Sequence, residues 1–199
     1  MKAYVINLDN RPDRMETFKE NIFPFDVERV SAIKMDNGAL GCTLTHFEIF
    51  KKNTEYPFVI FEDDCQFIEP WSLVEKAMSQ LPDNWDALWL GATLDAPLKR
   101  YSENLFRLRR AYCTHAIMYN SPKIIEYILN NFLPFDGRKI IDVFYHKDVQ
   151  ENFNCFITYP MTTIQRNSMS DVMKREQDDS DQIWRKKCYY KYTNEIPRR

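Results

Sequence analysis

The sequence predicts a single α/β domain built on a mixed, mostly parallel central sheet with helices on its faces. In the first half of the chain, short apolar runs such as "AYVINL" (3–8) and "PFVIF" (57–61) alternate with segments of helical periodicity, a pattern typical of an α/β sheet. "PFVIF" has no polar position, as expected of a strand buried on both faces. The 199 residues are enough for one such domain with a substantial core.

Capping residues and apolar spacing predict the helices. Pro12 suits the first turn of a helix over 13–22. Apolar side chains at helical spacing between Ala39 and Asn53 predict an amphipathic helix packed on the sheet. Ser121 as N-cap and Pro122 at the first helical position begin a helix that ends near residue 133. Further helices are predicted over 70–81 and around 141–153.

Apolar and β-branched runs predict the remaining strands, which are "DVERVSA" (26–32), "DALWLG" (86–91), two strands within 105–120, and "CFITYP" (155–160). Residues 92–103 lack periodicity, which is typical of a surface loop that carries binding elements. We expect residues 1–172 to form the folded domain. The charge-dense segment 173–199 is expected to be a peripheral helix or partly disordered.

Composition excludes several classes of function. A net charge of −2 and a pI near 6.0 provide no overall attraction to nucleic acid. Four glycines leave no glycine-rich phosphate loop. Five cysteines without C-x-x-C pairing argue against a disulfide framework or structural zinc. No window is apolar enough to span a membrane, and the charged N-terminal segment does not resemble a secretory signal. We therefore expect a cytoplasmic protein.

Three consecutive carboxylates, Glu62, Asp63 and Asp64, follow directly after "PFVIF". Ligand sites of α/β sheets lie outside the carboxyl ends of the strands. Adjacent carboxylates repel one another at a partly buried strand end unless a cation, arginines or raised pKa values relieve them. The simpler alternative is a solvated acidic turn, but the return to apolar "CQF" (65–67) argues against it. The pattern favours a hard divalent ion such as Mg²⁺ or Mn²⁺.

Five segments in order resemble the signature segments of glycosyltransferase family 25: "YVINLDNRPDRM", "GALGCTLTHFEIF", "FVIFEDDC", "CTHAIMYN" and "TTIQRNSMSDV". The resemblance covers about residues 3–172. It implies a GT-A-like, Rossmann-related fold, Mn²⁺ (or Mg²⁺), a UDP-sugar donor of galactose or glucose, and transfer with inversion. The acceptor class that it implies is a glycan, a lipid-linked glycan or a hydroxylated protein.

The resemblance also implies site residues. Near the nucleotide it places Asn7, Leu8, Arg11 and Arg14, and it matches His46 to the second segment. Glu62, Asp63 and Asp64 match the acidic metal motif, with Glu62 and Asp64 as ligands. Thr114 and His115 match the central motif, and the positions that match around the sugar and acceptor are Asp142, Gln165, Ser170 and Asp171. Where the family often has glycines beside its Thr-His pair, this chain has Cys113 and Ala116, which raises the question of how that loop is accommodated.

Inversion needs one base to accept the proton of the acceptor hydroxyl. Asp142, at the boundary of a late element, is the first candidate, and Asp95, in the irregular segment, is the second. Each has the alternative role of helix cap or surface acid. Arg11 and Arg14 suit phosphate oxygens, or are surface charges of the first helix. His46 and His115 either contact the ligand or are hydrogen-bonded packing residues.

Two other functions remain open from the sequence. One is a metal-dependent phosphotransferase, in which an aspartate of the cluster is the nucleophile. The other is a non-catalytic module that binds a nucleotide sugar or glycan. The oligomeric state is not predicted.

Overall fold

A computed structural model describes residues 1–132 and 140–166 of the chain. The strands are β1 Lys2–Asn7, β2 Glu28–Ser31, β3 Phe58–Glu62, β4 Cys65–Phe67, β5 Ala87–Trp89, β6 Thr93–Leu94, β7 Lys99–Arg100, β8 Leu105–Arg107, β9 Ala111–Tyr112, β10 Ala116–Tyr119, β11 Cys155–Thr158 and β12 Thr163–Gln165. The helices are α1 Pro12–Phe18, α2 Gly38–Lys52, α3 Trp71–Met78, α4 Pro122–Asn131, α5 Ile141–Phe144 and α6 Gln150–Asn152, with a π-helical stretch, Tyr145–Val149, between the last two.

Eight strands form the central sheet in the order β2-β1-β3-β10-β5-β11-β8-β7. Strands β10 and β8 run antiparallel to both of their neighbours, and the other six strands run in one direction. The predicted mixed, mostly parallel sheet is confirmed. Two small two-stranded sheets, β4 with β12 and β6 with β9, extend from it and were not predicted.

The core lies on both faces of the sheet. Alternate residues of β3 belong to different clusters: Phe58 and Ile60 pack on the face covered by α2 and α4, while Val59 and Phe61 pack on the face covered by α1 and α3. All four are fully buried, as the apolar run predicts. Helices on both faces therefore bury the sheet and leave its edges and strand ends for other roles.

Local signals placed most helices correctly. The Ser121 hydroxyl accepts the Lys123 N–H and caps α4, as predicted. Helix α1 begins at Pro12 but ends at Phe18, short of the predicted residue 22. The segment 105–120 contains three short strands rather than two, and the irregular segment contributes β6 and β7.

Gly41 explains why α2 can begin where it does. An added Cβ at this position would lie 2.2 Å from the backbone oxygen of Ile33, so only glycine permits the close approach of α2 to the segment that follows β2. This contact brings the start of α2 and residues 32–35 to the same end of the sheet as Glu62, where together they form the wall of a cavity.

Candidate active site

A cavity of about 450 Å³ lies at the carboxyl ends of β1 and β3. Its wall is formed by segments far apart in the chain, which are Leu8 and Asn10 after β1, residues 32–35 after β2, the start of α2 with Cys42, residues 62–64, residues 112–114, residues 140–142, and Gln165. The predicted acidic cluster therefore faces a partly open cavity rather than forming a solvated turn, and its position outside the strand ends is that expected in an α/β sheet.

Glu62, the last residue of β3, is partly open to the cavity and enclosed by protein elsewhere. Its carboxylate accepts hydrogen bonds from the hydroxyl of Thr114 and, at 3.6 Å, from the thiol of Cys42. Burial, followed by repulsion from Asp64, raises the pKa of Glu62 to about 8. The carboxyl group is therefore protonated at neutral pH unless a cation takes the place of the proton.

Asp63 is held by protein groups although it also borders the cavity. Its two oxygens accept from Asn7 Nδ2 at 2.7 Å and Arg14 Nη1 at 2.8 Å, and its side chain is 8% exposed. Burial raises the pKa of Asp63, while Arg14 opposes that shift. Arg29 donates to Asn7 Oδ1 at 2.9 Å. This network joins β1, β2, β3 and α1 at the edge of the cavity.

Asp64 lies on the opposite side of the cluster, beside the small sheet formed by β4 and β12. Its backbone oxygen accepts from Arg166 N at 2.7 Å, and its carboxylate accepts a long hydrogen bond of 3.5 Å from Gln165. Asp64 and Gln165 both line the cavity. Pairing of β12 with β4 thus brings together two predicted site residues that are about one hundred positions apart.

Asp142 reaches the cavity from the first turn of α5. The Val143 N–H donates to its carboxylate, while Asp142 Oδ1 is buried with no hydrogen-bond partner among the described residues. Burial raises the pKa of Asp142. A buried carboxylate oxygen that lacks a partner is costly, and this one is available to accept a proton or a hydrogen bond from a bound molecule.

The two predicted histidines lie behind the cavity wall. His46 is fully buried, its Nδ1 is bonded to the Cys42 backbone oxygen at 3.0 Å, and burial lowers its pKa to about 4, so the ring is neutral at pH 7. His115 is buried and hydrogen-bonded through Nε2 to Thr163 Oγ1 at 3.1 Å. Neither ring is part of the described cavity lining, whereas Thr114 is.

Three other predicted residues are also absent from the lining, which are Asn7, Arg11 and Asp95. Asn7 instead bonds Asp63 from β1. Arg11 pairs with Asp13 at 2.9 Å on the surface. Asp95 has a 44% exposed side chain, which accepts from His146 Nε2 at 2.8 Å and pairs with Arg110 at 3.5 Å. Asp95 is not part of the cavity lining, and its carboxylate contacts His146 instead.

The backbone conformation of Cys113 shows how the loop beside Thr114 and His115 accommodates a residue other than glycine. Its backbone has φ of 80°, a left-handed conformation that glycine adopts without cost and other residues adopt with strain. Trp89 Nε1 donates to the Cys113 backbone oxygen at 3.2 Å, which holds the strained residue in place. The loop therefore keeps a conformation suited to glycine although it contains cysteine.

Sequence reasoning missed several lining residues, among them Asn10, Lys34, Met35, Cys42 and Tyr112. Residues 32–35 follow β2, which is parallel to β1, so the rule that placed the carboxylates at the strand ends would also have found them. The predicted residues Ser170 and Asp171, the boundary at residue 172 and the tail 173–199 lie outside the described residues. Within the described ranges, no helix is both long and apolar enough to cross a bilayer.

Fold and cavity together define an α/β protein with an acidic cavity outside its strand ends. The sequence profile of glycosyltransferase family 25 (LPS biosynthesis protein) matches residues 19–190, so the chain belongs to this family, and the predicted family is confirmed. The protein is a glycosyltransferase of glycan biosynthesis, which takes a sugar donor and a glycan acceptor.

Three solved structures share a distant likeness to the chain. A197 from STIV is 12% identical, with a TM-score of 0.47, and the match covers 84% of this chain and 95% of A197. The inositol-1-phosphate CTP transferase from T. maritima is 13% identical, with a TM-score of 0.46 and coverages of 94% and 76%. A nucleoside-diphosphate-sugar pyrophosphorylase from Vibrio cholerae RC9 is 15% identical, with a TM-score of 0.35 and coverages of 77% and 70%. No curated protein matches the chain significantly.

Proposed function

We propose that this glycosyltransferase transfers a hexose, galactose or glucose, from a UDP-sugar to an acceptor hydroxyl, with Mn²⁺ or Mg²⁺ and with inversion. The observation that carries the proposal is the meeting of Glu62, Asp64 and Asp142 at one cavity. The three come from two distant segments, and repulsion from both aspartates contributes to the raised pKa of Glu62. Such a concentration of carboxylates suits a site that binds a cation and handles a proton.

The donor atoms fit a hard divalent ion. Glu62 and Asp64 would hold it through oxygen, the ligand type that Mg²⁺ and Mn²⁺ prefer. Among the described residues, no group of three or more His, Cys, Asp or Glu side chains is arranged to hold a metal ion. The proposed ion would therefore need further ligands from substrate phosphate and water. When bound, such an ion stabilises the negative charge of a leaving diphosphate.

Asp142 is our candidate for the base. In the proposed step, Asp142 accepts the proton of the acceptor hydroxyl and the acceptor oxygen bonds to the anomeric carbon. The bond from that carbon to the phosphate oxygen breaks, and UDP leaves with the electron pair. The raised pKa of Asp142 favours proton acceptance, because a base works best when its pKa approaches the working pH.

The donor is proposed to lie on the β1 and β2 side of the carboxylates. Leu8, Asn10 and Lys34 line that side, and Lys34 would add a positive charge near a diphosphate. Arg14 also borders the cavity but already pairs with Asp63, so we expect it to fix the carboxylate cluster in addition to any contact with phosphate. The ligand contacts predicted from the sequence for Arg11, Gln165, His46 and His115 stay predictions.

A thermal-shift screen of UDP-, GDP- and CMP-sugars, each with and without MnCl₂, tests the proposal. Binding to the native state raises the melting temperature by mass action. We expect a shift with UDP-sugars that requires Mn²⁺, is lost in Asp64→Asn, and persists in Asp83→Asn, an exposed aspartate outside the cavity. A wild type that no nucleotide stabilises would contradict the proposal. UDP binding without turnover of any donor would favour the non-catalytic alternative.

A further inference from the structure

An aromatic side chain, Tyr112, lines the same cavity beside Cys113 and Thr114. Its ring stacks on the imidazole of His146, with ring centroids 4.2 Å apart and planes inclined by 10°. The Tyr112 side chain is half-buried, and its hydroxyl has no hydrogen-bond partner among residues 1–132 and 140–166. The cavity lining therefore includes an aromatic side chain that stacks on His146 through one face of its ring.

Several elements fix the orientation of this ring. His146 is 6% exposed, and its Nε2 donates to Asp95 Oδ2 at 2.8 Å. Strand β9 pairs with β6, which places Tyr112 opposite Thr93. His146 belongs to the π-helical stretch, a local geometry frequent at functional sites. Asp95, exposed and outside the cavity lining, thereby holds the imidazole that stacks on Tyr112.

Sheet order places Tyr112 on the side away from the proposed donor. Strands β1 and β2 lie on one side of β3, and β10 and β5 lie on the other. Residues 112–114 lead directly into β10, and Thr114 bonds Glu62 from that side. Asp142 also borders the cavity, and it lies four positions before His146, where α5 continues into the π-helical stretch. The ring and the candidate base thus belong to one group of side chains.

We propose that Tyr112, held in place by His146 and Asp95, forms the acceptor subsite by packing against the apolar face of a pyranose ring. Aromatic rings offer large, rigid apolar surfaces with little loss of side-chain entropy. A sugar packed on Tyr112 presents a hydroxyl toward Asp142, and the Tyr112 hydroxyl adds a hydrogen bond. This inference rests on the proposed function, and it names the acceptor as a pyranoside. His146 and Asp95 are positioning residues.

The test compares Tyr112→Ser, Tyr112→Phe, His146→Gln and the control Tyr101→Ser, a 49% exposed tyrosine beside the distant strand β7. The probes are lactose and methyl β-D-glucopyranoside. Their binding is measured by saturation-transfer NMR with UDP and MgCl₂ present, and their KM and kcat are measured in transfer from UDP-galactose and UDP-glucose. The Mn²⁺-dependent UDP thermal shift reports the donor side separately.

We expect Tyr112→Ser to raise the acceptor KM about tenfold with an unchanged UDP shift. Tyr112→Phe should restore most of the affinity, because it keeps the stacking face. His146→Gln should raise the acceptor KM less, and Tyr101→Ser should have no effect. An unchanged acceptor KM in Tyr112→Ser, or a wild type that binds UDP but neither sugar, would overturn the inference. A wild type without a UDP shift would instead overturn the proposed function.

Discussion

Glu62 should make the ligand-free protein less stable than the same fold with a neutral side chain. Its pKa changes from the ordinary value of 4.5 to about 8 on folding, so at pH 7 the native state holds a proton that the unfolded chain releases. At about 1.4 kcal/mol for each tenfold change, the interval from 4.5 to 7 corresponds to about 3 kcal/mol. This is an upper bound, because Glu62 is partly open to the cavity.

The sign of the pH dependence follows from proton binding. Between pH 4.5 and 8 the folded state binds more protons than the unfolded state, so the contribution of Glu62 to stability falls as pH rises through this window and is constant outside it. Glu62→Gln keeps the shape of the protonated acid and cannot ionise. Its free energy of unfolding should exceed that of the wild type by up to about 1 kcal/mol at pH 5 and up to about 3 kcal/mol at pH 7.

Urea unfolding of both proteins at pH 5, 6, 7 and 8.5 measures this difference directly. Subtracting the two curves cancels the titration of groups that lie far from Glu62 in both proteins, so the difference reports Glu62 and the carboxylates that interact with it. Glu75→Gln, at an exposed position on α3, is the matched control and should show no pH-dependent difference. The reasoning is refuted if the gap between wild type and Glu62→Gln does not widen from pH 5 to pH 7, or if Glu62→Gln is the less stable protein at pH 8.5.

Three further predictions concern neighbouring positions. Asp63→Ala should lower the free energy of unfolding by about 3 kcal/mol, because it removes the buried 2.8 Å ion pair between Asp63 and Arg14. An equal loss in Asp64→Ala would contradict the different roles of the two aspartates. In urea, Cys113→Gly should be at least as stable as the wild type. Cys113→Val should lower the free energy of unfolding by about 2 kcal/mol, because β-branched residues fit a φ of 80° poorly. The reverse order of the two variants would argue against backbone strain at Cys113. Gly91→Ala should lower the free energy of unfolding by about 3 kcal/mol, because the added Cβ would lie 2.1 Å from the Thr163 backbone oxygen. An unchanged melting temperature would show that this close approach does not exist.

Much of the fold could be predicted because its signals are local. Ser121 caps α4 through a hydrogen bond two residues away, and the apolar run of β3 marks burial on both faces without reference to any partner. The pairing of β4 with β12 depends on residues about one hundred positions apart, and short strands of three residues carry little propensity of their own. Sequence periodicity could not reveal it.

The candidate site likewise has features that the sequence could predict and others that depend on long-range contacts. The sequence by itself determined that three carboxylates follow a buried strand, because strand ends and like charges are visible in the order of residues. Only the tertiary structure decided that Asp63 pairs with Arg14 while Glu62 and Asp64 face a cavity that Asp142 and Tyr112 complete. Adjacent side chains in the sequence contact different partners in the fold. Those partners lie on β1, α1, β9 and α5, and the packing of the whole sheet brings these elements together.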